Sequence, residues 1–213
     1  MAKQTEPSAE KRRVPTQERS RARVARMLDA ATEVFAEVGF DAATTEAIAE
    51  RAGTSIGSVY QFFPNKKALF DAIGERYLSD ARDLCERFLT EAAERAKDDW
   101  RALIDEVVDA FWAFDSSSTA FRAVWINIHR SQEFLAQGDA FNQEMAERIA
   151  PLLGAVAPNI KPAKRLLVAT IVVETLSSLL FLALRRDERT AKKLVEETKV
   201  LVRGYLERYA ESE

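Results

Sequence analysis

Seven apolar residues, Val24, Met27, Leu28, Ala31, Val34, Phe35 and Val38, recur at steps of three and four and therefore share one stripe of a helix. Gly39 predicts a glycine C-cap after them, with Phe40 packing back. The polar stretch 1–18 has no apolar period and contains Pro7 and Pro15, so it predicts a mobile arm, with order beginning near Ser20. Thr44 offers an N-cap, Ile48, Ala49 and Ala52 one apolar face, and Gly53 a stop. Thr54 and Ser55 restart a helix carrying Ile56, Val59, Tyr60 and Phe63 on one side, which Pro64 ends. Two short helices joined by a tight Gly-Thr-Ser turn make a helix-turn-helix pattern, in which the first braces the second for entry into a DNA major groove.

Asn65 caps a fourth predicted helix with apolar positions Leu69, Phe70, Ile73, Tyr77, Ala81, Leu84, Cys85 and Phe88. Lys66 and Lys67 in its first turn oppose the helix dipole, an arrangement that a bound phosphate would relieve. Further helices are predicted over 99–114, 118–130, 139–154 with Pro151 kinking or ending it, 162–184 and 188–209. The expected fold is all-α with about nine helices. It divides into a flexible basic arm at 1–18, a three-helix helix-turn-helix domain at 19–64 and a helical ligand-binding and dimerisation domain at 65–213.

Composition narrows the chemistry. With 47% hydrophobic and 31% charged residues and only 7 Gly and 6 Pro in 213, the chain is a folded one built from long segments. A single cysteine, Cys85, and a single histidine, His129, exclude an intrachain disulfide and Cys- or His-rich metal sites. No glycine-rich phosphate loop or nucleophile motif accompanies them, so neither enzyme activity, cofactor nor metal is expected. The opening Met-Ala-Lys-Gln-Thr-Glu-Pro has no apolar core before its basic run, and a cytoplasmic location is expected. The net charge of -3 conceals an asymmetry, because residues 1–26 hold eight Lys/Arg against three Glu, a local +5. That basic end is either a nucleic-acid footprint or a solubilising tail. The stretch Leu166 to Leu184 approaches a membrane span in length, but Glu174 at its centre favours a helix buried by its own domain and by a partner subunit, without a membrane.

Residues 44–69, Thr-Thr-Glu-Ala-Ile-Ala-Glu-Arg-Ala-Gly-Thr-Ser-Ile-Gly-Ser-Val-Tyr-Gln-Phe-Phe-Pro-Asn-Lys-Lys-Ala-Leu, resemble the DNA-binding signature of the TetR family of transcriptional regulators. The resemblance rests on Ala-Gly-x-Ser, the following Gly57, Tyr60, Phe63, Lys66 and Leu69, and it extends back to about residue 20. It implies a repressor that binds a palindromic double-stranded operator as a homodimer and is released by a small, mostly apolar effector. It also implies that Thr44 caps the second helix and touches phosphate beside Thr45, that Ser55, Gly57 and Ser58 face the groove, and that Tyr60 and Lys66 clamp phosphates. Position 56 is often basic in relatives and is Ile56 here, which leaves open a thymine-methyl contact or packing alone. From the residues themselves, Ser55, Ser58 and Gln61 are the side chains able to hydrogen-bond base edges, and Tyr60 is either a rim residue or a core aromatic.

For the larger domain, the expected pocket comprises Val107, Phe111, Trp125, His129, Met145, Ile171, Glu174 and Ser178. The expected dimer interface comprises Val168, Val172, Thr175, Leu179, Leu182, Leu201 and Tyr205. A carboxylate in so apolar a helix needs a partner, and a cationic ligand, Arg130 or a group across the interface would each serve Glu174. The competing reading of the whole chain is a helical adaptor or carrier whose helix-turn-helix packs only against protein.

Overall fold

Helices α1 (Glu10–Ala42), α2 (Thr45–Arg51), α3 (Ile56–Phe62), α4 (Lys66–Ser116), α5 (Gln132–Ile149), α6 (Leu153–Val156), α7 (Pro162–Leu184) and α8 (Glu188–Ala210) follow one another along the chain. The structure, a computed structural model, describes residues 10–117, 122 and 132–210, and no strand occurs among the described residues. The helix expected over 118–130 lies, Arg122 apart, outside them, and so do residues 1–9. Residues 10–18, expected to be mobile, are helical. Lys, Arg, Gln and Glu favour that state without leaving any apolar period to register, although Pro15 inside the segment opposes it.

Local signals end the other elements where the chain punctuates itself. Gly39 takes φ 80 inside α1, and Phe40 beyond it meets the rings of Phe35 and Phe70 at 5.5 and 5.1 Å. Gly53 takes φ 62, and the Thr54 N–H reaches the Ala49 carbonyl at 3.0 Å, the long bond of a Schellman cap. α4 breaks at Asp99, whose side chain accepts from the Ala102 N–H at 3.0 Å and so caps the second half of the element. Pro151 follows the end of α5, and Pro162 opens α7.

The chain divides into two compact units, Met1–Ile73 and Gly74–Glu213. The division falls inside α4 rather than at Pro64, because Leu69, Phe70 and Ile73 at the start of α4 belong to the buried core of the first unit. Met27, Ala31, Val34, Phe35, Ile48, Val59 and Phe63 complete that core. In the second unit, Trp100, Leu153, Ile160, Val168, Val172, Val202 and Leu206 are buried in one cluster with small Ala146, Ala157 and Ala169. Val108, Leu180, Ala183, Ala191 and Val195 form another. α8 is also tied to α4 by charge, through Lys199 to Asp109 at 2.6 Å and Arg101 to Glu207 at 2.8 Å.

Candidate functional site

The first unit presents α2 and α3 as two short, separately capped rods. The Thr44 hydroxyl accepts from the Ala47 N–H at 3.1 Å, and Ser55 Oγ accepts from the Ser58 N–H at 3.2 Å. Arg51 donates to Glu37 at 2.9 and 2.8 Å and to Glu33 at 3.0 Å, bracing α2 against α1. That hydrogen-bonded guanidinium also holds the Glu37 carboxyl below its usual range. α3 turns its Val59 inward, completely buried, and leaves Ser55, Ile56, Gly57, Tyr60 and Gln61 exposed and Ser58 half-buried. Tyr60 is 48% exposed and is therefore a surface residue and not a core aromatic. A side chain added at Gly57 would meet nothing within 4 Å, so nothing in the protomer demands a glycine there.

Two expectations for this surface are corrected. Thr45 is buried and offers no surface for a nucleic acid, because it lies on the same inward face of α2 as Ile48 and Ala49. Lys66 is not a free cation: its ammonium donates to the carbonyls of Phe40 and Asp41 at 2.8 Å each and of Ala43 at 3.2 Å, and lies over the Phe40 ring. Three N–H donors meet three acceptors, leaving none for phosphate. The charge that opposes the dipole of α4 complements the carbonyl end of α1 instead. Asn65 Oδ1 caps α4 through the Ala68 N–H at 2.9 Å, and Lys67 pairs with Asp71 at 2.7 Å.

The second unit encloses a cavity of about 350 Å³, within the usual range for small-molecule sites. Val107, Phe111, Met145, Glu174 and Ser178 line it, as expected. Trp125 and His129 lie outside the described residues, as does Arg130. Ile171 is absent from the lining and 39% exposed. Glu174 is itself exposed at the cavity's margin and makes no ion pair with any described residue.

The periodicity of the chain gave no sign of the cavity's most unusual group. Asp115, 6% exposed, accepts a 2.7 Å hydrogen bond from the hydroxyl of Tyr77, and both residues line the cavity. They are far apart in sequence and meet only because the two halves of α4 pack together, so the only advance signal was an acid ending an otherwise apolar run. Burial pushes the Asp115 carboxyl up to about 7, against the lowering effect of the Tyr77 hydrogen bond. Burial and the neighbouring Asp115 likewise push the Tyr77 phenol well above its usual value. Cys85, also in the lining, is pushed up to about 12 by burial, so its thiol is inert at neutral pH.

Asp115 has a measurable consequence. A carboxyl whose folded pKa is raised holds a proton that the unfolded chain has released, so stability falls as pH rises from about 4 to about 7 and then levels off. Asp115→Asn keeps the shape and an acceptor for Tyr77. Denaturant unfolding should show it more stable than the parent by up to about 4 kcal/mol at pH 8 and nearly equal to it at pH 4. An equal effect at both pH values would contradict a titrating Asp115.

The last two helices show a different surface from the one expected. Val168 is completely buried and Val172 nearly so, both inside the protomer's own core, while Thr175, Leu179, Leu182 and Tyr205 are half-buried. The exposed apolar residues are instead Leu166, Leu167 and Ile171 on α7 and Val200 and Leu201 on α8. Leu201 alone of the expected interface is fully at the surface. α7 is the one helix among the described residues long and apolar enough to cross a membrane, yet its central acid and its buried side are those of a packed core helix.

Comparison with known proteins covers both units. Residues 27–73 match the family model of bacterial regulatory proteins, tetR family, and residues 99–206 that of the tetracyclin repressor-like C-terminal domain. The tetracycline repressor protein class A of transposon 1721 from Escherichia coli is 37% identical over 78 residues, 37% of this chain and 33% of that one. The transcriptional activator FasR of Mycolicibacterium smegmatis is 32% identical over 116 residues, 54% of this chain and 49% of that one. The matched stretches thus span about a third to a half of these relatives. A TetR-family transcriptional regulator from Streptomyces coelicolor, a solved structure, is 32% identical across 88% of this chain and 99% of its own, with a TM-score of 0.54.

Proposed function

Since the chain belongs to the tetR family of bacterial regulatory proteins, we propose that it is a cytoplasmic transcriptional regulator that binds an operator as a homodimer and releases it when a small, mostly apolar effector enters the second unit. Repression is the direction proposed, and no catalytic step is assigned to any residue. The observation that carries the DNA reading is the outer face of α3, where Ser55, Ile56, Gly57, Tyr60 and Gln61 are exposed together while Val59 anchors the helix. An exposed glycine that the protomer does not need fits a helix whose backbone approaches another molecule closely. The adaptor reading is not favoured, because both units match models of a family of bacterial regulatory proteins.

The proposed DNA contacts are Thr44 at a phosphate, Ser55, Ser58 and Gln61 at base edges, Ile56 against a thymine methyl and Tyr60 at a phosphate. Ser55 already spends its oxygen on the helix cap, so Gln61 is the principal base reader. Lys66 is withdrawn from this set. Selection of bound duplexes from a random pool should return an inverted repeat, and Gln61→Ala should relax one base position per half-site by about 1–3 kcal/mol. A pool with no symmetric motif would refute the operator reading; an unchanged motif would remove Gln61.

The proposed dimer surface joins the exposed stripe Leu166, Leu167 and Ile171 of α7 to Val200, Leu201 and the exposed Gly204 of α8. Neighbouring helices linked by a short turn, meeting their own copies about a two-fold axis, form a four-helix bundle. The stripe stays apolar although its helices already have a packed core beneath it, which is the mark of a second burial. Occupancy of the cavity and of the operator are coupled reciprocally: each must weaken the other by the same factor, typically about 5–150-fold.

A further inference from the structure

On the reading that the cavity holds the effector, we infer that the effector is a lipophilic amine whose ammonium group meets the Asp115 carboxylate while its apolar body occupies the remaining lining. Three observations converge on this. The described lining turns the acids Asp115, Asp139 and Glu174 to a guest but no Lys, Arg or His, Arg82 and Arg185 lying instead over the rings of the lining residues Phe141 and Phe181. Asp115 is the buried one of the three, and among the described residues Tyr77 is its only hydrogen-bond donor. A carboxylate accepts up to about four hydrogen bonds, so most of its capacity is left for a guest. The rest of the lining is largely apolar, with Phe111, Phe141 and Phe181 among it, which suits an organic body over a hydrated metal ion.

The empty cavity is costly for a charged Asp115, which holds its proton up to about neutral pH. An ammonium guest supplies the counter-charge, and the carboxyl gives up its proton to solvent as the ion pair forms. A neutral alcohol can at best exchange a hydrogen bond with the protonated acid. A carboxylate guest brings a negative charge to a site already lined by three acids.

The test uses the full chain and three probes that share one apolar body: decylamine, 1-decanol and decanoate, with binding measured by calorimetry at pH 7.5. Decylamine should bind about ten- to a hundredfold more tightly than decanol, and decanoate more weakly than either. Asp115→Asn should reduce the decylamine preference to within a few-fold of decanol, chiefly by weakening decylamine. Glu174→Gln, at the exposed margin, should retain most of it. Decanol or decanoate binding as well as decylamine would overturn the amine reading, as would a preference that survives Asp115→Asn or vanishes only in Glu174→Gln. Failure of the regulatory reading shows separately: amine selectivity would persist while operator affinity was the same with and without saturating decylamine.

Discussion

Leu167→Glu combined with Leu201→Glu is expected to turn the dimer into a folded monomer and to lower affinity for a two-half-site duplex by about 10²–10⁴-fold. The two residues are 56% and 53% exposed in the protomer, so the change removes little from its core. In the proposed bundle the same glutamates would be buried without partners, an arrangement that costs several kcal/mol per contact and defeats association. The loss on DNA follows from geometry: once one subunit is bound, the second half-site is reached at the effective concentration set by the tether, and a monomer loses that advantage. Light scattering and a duplex titration read the two steps separately. A variant that stays dimeric refutes the interface, and a monomer that binds the full duplex undiminished refutes the two-half-site operator. The contrast is Val168→Glu, expected to unfold the second unit outright, because that position is completely buried.

Lys66→Met should lower the stability of the first unit by about 2–3 kcal/mol, an effect that belongs to folding rather than to DNA contact. The methionine retains the stem that packs near Phe40 but removes every donor, leaving the Phe40, Asp41 and Ala43 carbonyls at the end of α1 without the charged partner they have now. Because those carbonyls sit where α1, α2 and α4 converge, duplex binding should weaken only as far as the unit unfolds, and stabilising cosolvent should restore it. A phosphate clamp would behave otherwise: unfolding would be unchanged, and affinity would fall on all sequences together with a shallower salt dependence. Thermal unfolding beside a salt titration distinguishes the two roles.

The fate of Lys66 marks the boundary between what the chain announces and what folding decides. A lysine in a first helical turn is a local fact, and from it an external anion is a sound inference. The carbonyls that satisfy it lie more than twenty residues earlier, and only packing brings them within reach. Asp115 and Tyr77 repeat the point: Tyr77 reads as an apolar position of one predicted helix and Asp115 as the residue just past another, and their hydrogen bond exists because α4 breaks at Asp99 and its second half turns back.

Sequence alone determined the helix-turn-helix and most helix limits, since caps, glycines and prolines act within a few residues of themselves. Thr44, Gly53, Ser55, Pro64, Asn65 and Pro162 stand at ends that the structure retains. It did not determine the exposed side of α3, because Ile56 and Tyr60 share the apolar spacing of Val59 and Phe63 and only packing left the first two at the surface. Tertiary structure alone decided which way α7 points. That helix is apolar nearly all round, so periodicity assigns it no inner face, and the side carrying Val168 and Val172 was as plausible an interface as the side carrying Leu167 and Ile171. Packing against α5 and α8 broke the tie by burying the first pair within the protomer and leaving the second for another surface.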